Sequence, residues 1–172
     1  MNKREYFKAL SEIVSSLKIA QQVATAANDI GIKNISQPGI IKEVIMASQL
    51  KHRLHATKKE HDAEDFSNPN KRYEYLSCLE GKSFQFDRVD KENLKSRVLR
   101  RNTKIYCGVF DKNNPLELKK IYEVNPYSLW KIFEIKYKKS KSSSRHVGIT
   151  EKEILELNKF HWVFPKTRKS KI

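Results

Sequence analysis

A chain of 172 residues has room for one domain with a modest core. No stretch approaches the ~20 apolar residues that cross a bilayer, and MNKREYFKALSE lacks the apolar run of a secretion leader, so a cytosolic protein without a membrane partner is expected. The net charge of +15 draws the chain to polyanions, nucleic acid first, while two cysteines (Cys78, Cys107) without a CxxC motif argue against a disulfide scaffold or a zinc finger.

Tyr6, Phe7, Leu10, Ile13, Val14, Leu17 and Ile19 follow helical spacing, which predicts one long helix or two abutting ones over residues 3–28. Gly31 and the turn Gln37-Pro38-Gly39 interrupt it, and residues 40–51 predict a second helix with Ile41, Val44, Ile45 and Ala47 inward. DAEDFSNPNK is polar and turn-rich. YEYLSCL then alternates like a strand, Glu80-Gly81-Lys82 reads as a turn, and SFQFDRV alternates again, which predicts a hairpin. In that hairpin Cys78 faces Ser83, Leu76 faces Gln85 and Glu74 faces Asp87.

Asp90 caps a short basic helix, KENLKSRVLRRN. KIYCGVF (104–110) and LKKIYEV (118–124) are strands around Asn113-Asn114-Pro115, and Asn125-Pro126 opens a helix over 126–138 whose stripe is Leu129, Trp130, Phe133 and Tyr137. KKSKSSSRH is a basic loop, ITEKEILELN starts a further helix or a helix–strand end, and PKTRKSKI is a basic tail. The pattern predicts a single α/β (α+β) domain over 1–172, with a central mixed sheet flanked by helices. Residues 1–50 are helical, 60–164 form the core and 165–172 the tail.

Carboxylates are scarce, yet Glu60, Asp62, Glu64, Asp65 and Glu74 gather around the first strand. On that strand Glu74 shares a face with Leu76 and Cys78, opposite Tyr73, Tyr75 and Ser77. A carboxylate on a buried strand face needs a partner or a metal. An Asp on a turn with a Glu on the next strand can hold a hard cation such as Mg²⁺. The plainer reading is an acidic loop beside an exposed strand Glu. His52, His55 and His61 lie nearby, too irregularly spaced to argue for zinc.

The pattern D-A-x-D, a short polar insert, then Y-E-x-x-S resembles the metal-binding stretch of the PD-(D/E)XK nucleases, and within them the PvuII-like type II restriction endonucleases. The order of parts agrees: a helix before G-I-x-x-I-x-Q (Gly31, Ile32, Ile35, Gln37), an apolar helix, then RRNTKIYCGVF, KKIYEVNP and a long helix, over roughly residues 10–164. The resemblance implies a restriction-endonuclease-like fold and a homodimer joined through an N-terminal helical dimerisation region. It also implies Mg²⁺-dependent hydrolysis of both strands of double-stranded DNA at a short palindrome, with a cognate DNA methyltransferase in the same genome. It places Asp62 and Glu74 as metal ligands and catalytic residues.

The family's lysine two residues after the Glu is Leu76 here, and Gln85 is the first candidate to replace it, with Lys82 and Asp87 behind it. By the same likeness Ser83 and Arg88 lie in a base-reading segment, Arg97, Arg100 and Arg101 meet phosphates, Arg145 and His146 reach bases, and Gln37 faces the minor groove. Two other classes stay open. One is a DNA-binding protein with a nuclease fold that does not cut, favoured by Leu76. The other is a basic RNA-binding protein, which explains the charge but not the spacing of Asp62 and Glu74.

Overall fold

The computed structural model describes residues 12, 16, 19–20, 22–32, 35, 37–55, 61–86, 95–96, 98–99, 103–139, 147–157 and 160–164, with only the backbone of Pro38, Phe86 and His161. The chain divides into two compact units, Met1–Ile41 and Lys42–Ile172. In the first, residues 22–29 are helical and end at Gly31, whose φ of 80° is open to glycine at little cost.

Helix α1 (Pro38–Leu50) has proline at its first position, where no amide donor is missed. Its buried residues are Met46 and Ala47, with Ile45 packed alongside. Strands β1 (Arg53–Leu54), β2 (Ala63–Glu64) and β3 (Arg72–Leu79) form an antiparallel meander. β5 (Thr103–Phe110) lies parallel to β3, and β6 (Leu118–Val124) and β8 (Phe160–Phe164) complete a six-stranded mixed sheet, ordered β1-β2-β3-β5-β6-β8. A parallel neighbour demands a crossover, and between β3 and β5 residues 95, 96 and 98 are helical, with Val98 buried.

One sheet face packs Cys78, Ile105, Cys107, Val109, Tyr122 and Val124 against Leu129, Trp130 and Phe133 of α2 (Pro126–Lys139). The other packs Tyr73, Tyr75, Tyr106, Phe110 and Ile121 against Met46 and Ala47. The alternation in YEYLSCL therefore separates the faces as expected, with Leu76 and Cys78 on the α2 side and both tyrosines on the α1 side. Both cysteines are buried and unlinked, and burial pushes the Cys78 thiol up to about 12. No helix among the described residues is long and apolar enough to cross a membrane.

The hairpin expected between β3 and SFQFDRV does not form. The turn exists: Gly81 has φ 74° and Lys82 N–H donates to Leu79 O at 2.9 Å. β4 (Ser83–Phe86) then pairs with β7 (Val147–Thr150) in a separate two-stranded ribbon. β5 runs along the whole length of one edge of β3, whereas β2 takes the other edge only at Arg72 and Tyr73. The ribbon buries Phe84, Val147 and Ile149 in the α2-side core. Lys136 of α2 ties β7 down by donating to Gly148 O at 2.6 Å and to Glu153 Oε2 at 2.7 Å. α3 (Glu151–Glu156) follows directly, with a reciprocal capping box between Thr150 and Glu153.

Gly108 on β5 marks a close approach. A Cβ there would lie 2.6 Å from Met46 Sδ and 3.3 Å from its Cγ, and Met46 is fully buried. Gly108→Ala should lower the unfolding free energy by roughly 1–3 kcal/mol, the usual cost of overpacking a filled core. A urea titration reads this as a lower midpoint at unchanged slope. In a Met46→Ala background Gly108→Ala should cost less than it does in the wild type, because the side chain it crowds has gone.

Candidate functional site

The site is built where the meander meets the parallel pair. Ala63 faces Tyr73 and Glu64 faces Arg72, so the next step of the register brings Asp62 to Glu74. The hydrogen bonds show how. Asp62 N–H donates to Tyr73 O at 3.1 Å, and Asp62 Oδ2 accepts from Tyr75 N–H at 2.8 Å. Asp62 thus grips the β3 backbone on both sides of Glu74, which is 9% exposed. A carboxylate that takes a backbone N–H at the end of a ladder is fixed in direction. Glu74 sits on the α2 face with Leu76 and pairs across the parallel ladder with Ile105.

Asp65, in the same acidic stretch, has a different task. Its Oδ1 accepts from Ser67 Oγ, Ser67 N–H and Asn68 N–H, and its Oδ2 from Tyr73 OH. Those bonds, led by the Ser67 hydroxyl, hold its carboxyl down to about 2. Asp65 closes the turn that delivers β3.

His52 stacks on Tyr73 with ring centroids 3.6 Å apart, and its Nδ1 lies 2.9 Å from Tyr75 OH. Burial lowers its pKa to about 4 from 6.5. The unfolded chain then binds a proton that the native state refuses, so stability is full above 6.5 and declines as pH falls towards about 4. Urea midpoints measured across that window should fall with pH in the native protein, and His52→Phe should flatten the slope.

His55 and His61 come together across the β1–β2 hairpin, which their sequence spacing did not suggest. Their ring centroids lie 4.5 Å apart, and His61 Nε2 is 3.7 Å from Glu64 Oε2. Burial first, then His55 and Arg72, lowers the His61 pKa, so its imidazole is neutral at pH 7. The readable signal is the symmetry of RLH and HDAE about residues 56–60, which an antiparallel pairing folds onto each other. Strands of two residues each are too short for alternation to reveal.

Gln85, expected opposite Leu76, instead pairs with Gly148 and is exposed. Its Nε2 donates to Ser83 Oγ at 2.7 Å, and a Cβ on Gly148 would lie 2.6 Å from that same oxygen. The register that put Gln85 on the face of Glu74 is therefore absent. Lys82 is exposed in the turn, and Asp87 lies outside the described residues. Gln37 is exposed just before α1 in the first unit. Arg88, Arg97, Arg100, Arg101, Arg145 and His146 also lie outside the described residues. The paired residues Phe86 and Val147, however, are close in sequence to Arg88 and adjacent to His146. No protein-family model matches the chain, and no curated protein matches it.

Proposed function

We propose that this protein is a Mg²⁺-dependent endonuclease that cuts both strands of DNA at a short palindrome, as a type II restriction enzyme. The observation that carries the reading is Asp62 gripping the backbone on either side of the buried Glu74. These two residues would hold the ion. Bound there, Mg²⁺ would lower the pKa of a coordinated water and stabilise the leaving oxygen of a phosphodiester. The chain's own part is positional: Tyr75 N–H fixes the Asp62 carboxylate, and the packed β3–β5 pair fixes Glu74.

DNA recognition is supported by the charge of +15 and by the β4–β7 ribbon. A two-stranded ribbon fits the major groove. Its inner face is Phe84, Val147 and Ile149, which leaves Ser83, Gln85 and Gly148 on its outer face. The segments expected to read bases, one around Arg88 and one ending at His146, join the same end of this ribbon because Phe86 pairs with Val147. They form a single recognition element in this reading, and Gln85 belongs to it rather than to the catalytic pair. Arg97, Arg100 and Arg101 add phosphate contacts, Gln37 a minor-groove contact, and residues 1–50 the two-fold interface that makes the target palindromic.

A second reading has its own observation. Leu76 packs against the apolar α2-side core where the resembling enzymes carry lysine. That suits a protein that binds DNA without cutting it. Incubating purified protein with plasmid or phage DNA and Mg²⁺ separates the two. Discrete fragments support the endonuclease, whereas DNA that stays intact with Mg²⁺ and Mn²⁺ yet is retarded in a gel supports the non-cutting binder.

A further inference from the structure

We propose a second metal site, for a borderline transition ion of the Zn²⁺ class, formed by His55, His61 and Glu64. A nitrogen of each imidazole and a carboxylate oxygen of Glu64 all lie within 4.8 Å of one another. Tetrahedral coordination at Zn–N and Zn–O distances of about 2 Å sets ligand atoms ~3.3 Å apart, so the three need to draw in by rotamer-scale movements. His55 and Glu64 are only partly buried and can make them.

The independent observation is His61. It is 5% exposed, and among the described residues neither ring nitrogen has a hydrogen-bond partner. Its 3.7 Å approach to Glu64 is too long to be a hydrogen bond. Buried imidazoles are ordinarily satisfied, and a metal ion against Nδ1 or Nε2 would satisfy this one. Glu64 Oε1 lies 3.6 Å from Arg53 Nη1, which leaves Oε2 turned towards His61.

The donor set decides the ion. Two imidazoles and one carboxylate suit Zn²⁺, Co²⁺ or Ni²⁺, whereas Mg²⁺ prefers oxygen ligands and several waters. Three protein ligands leave a coordination position for water. The ion would join both ends of the β1–β2 hairpin, whose ladder is only Arg53↔Glu64 and Leu54↔Ala63. A hairpin that short is marginal unaided. The ion would thereby steady the strand that presents Asp62. The site stands apart from the nuclease reading, because a protein that never cuts DNA would still take up the ion.

The test uses metal-stripped full-length protein without an affinity tag, titrated with Co²⁺ and followed by its visible d–d absorption. With excess Mg²⁺ present to fill the acidic pair, wild type should take up one equivalent of Co²⁺, release it to Zn²⁺, and melt at higher temperature with Zn²⁺ bound. His55→Gln and Glu64→Gln should each weaken binding at least about a hundredfold, the upper end of what even an outer-sphere partner costs. Both side chains are partly exposed, so the variants should keep the wild-type far-ultraviolet spectrum, whereas His61→Ala is informative only if it does. Glu74→Gln should bind Co²⁺ as wild type does. No uptake by wild type, or uptake indifferent to His55 and Glu64, overturns the proposal. So does uptake that disappears in Glu74→Gln, which would place the ion on the acidic pair.

Discussion

Asp62→Asn and Glu74→Gln should each slow Mg²⁺-dependent DNA cleavage by at least about a hundredfold, equivalent to roughly 3 kcal/mol of transition-state stabilisation. The substitutions remove charge but little volume. In Asp62→Asn the side-chain amide oxygen can still accept from Tyr75 N–H, so the grip on β3 survives while the ligand charge is lost. Glu74→Gln keeps the shape of the buried side chain against Ile105. Metal-free DNA binding should persist or tighten in both, because a negative charge facing the phosphates has gone. Gel-shift titrations without metal and single-turnover cleavage with Mg²⁺ measure the two quantities separately. Wild-type cleavage by either variant would remove that residue from the site. Loss of DNA binding in step with cleavage would instead point to damaged folding, which a urea titration would reveal.

Leu76→Lys probes the same site from the position where the resembling enzymes carry lysine. Leu76 shares the α2 face with Glu74, two residues along β3. A lysine there can lay its stem over the apolar core and extend its ammonium towards Glu74. Faster cleavage in this variant would show that the native site works without an equivalent cation.

The elements most legible in the sequence are those whose packing is dictated by their own side chains. β6 runs over Leu118–Val124 as read, and α2 begins at Pro126 because Asn125-Pro126 caps it, with Ser128 N–H donating to Asn125 Oδ1 at 3.1 Å. The register that brings Asp62 to Glu74 runs through one local turn, between β2 and β3. Pairing partners are a different matter. The turn at Gly81 is real, yet Glu80 N–H donates to Phe110 O at 2.8 Å, tying the turn to β5 while β4 departs. Turn chemistry reports that the chain reverses, not which strand edge is vacant. β3 pairs along its whole length with β5, which follows later in the chain, and β7, the partner of β4, lies some sixty residues away. No local pattern carries that information. The same holds for His55 and His61, which meet only because two very short strands pair.

Gln85→Ala should cost discrimination between the cognate site and random DNA by about 5- to 150-fold, the range of a lost bidentate base contact of ~1–3 kcal/mol, and should leave the single-turnover rate at saturating protein nearly unchanged. The expectation follows from where β4 lies. Phe84 enters the core, so Gln85 on the opposite side of the ribbon faces out, and Ser83 Oγ holds its amide nitrogen at 2.7 Å. A glutamine amide held in one direction on an exposed ribbon is preorganised to meet an adenine edge. Ser83→Ala should therefore reproduce part of the loss by freeing the amide. Gly148→Ala should do the same from the neighbouring strand, because its Cβ would crowd Ser83 Oγ at 2.6 Å and Gln85 Nε2 at 3.2 Å. Competition binding against a target altered by one base pair measures the discrimination, and rapid-quench cleavage measures the rate. A Gln85→Ala enzyme that keeps its discrimination but loses its rate would return Gln85 to the catalytic centre, in the role of the missing lysine. Since β4 has no ladder with β3 and Gln85 lies on the outer side of the ribbon, that outcome would require Gln85 to be turned towards Glu74 when DNA binds. Hydrogen exchange at the Phe84 and Ile149 amides, with and without DNA, would detect such a movement.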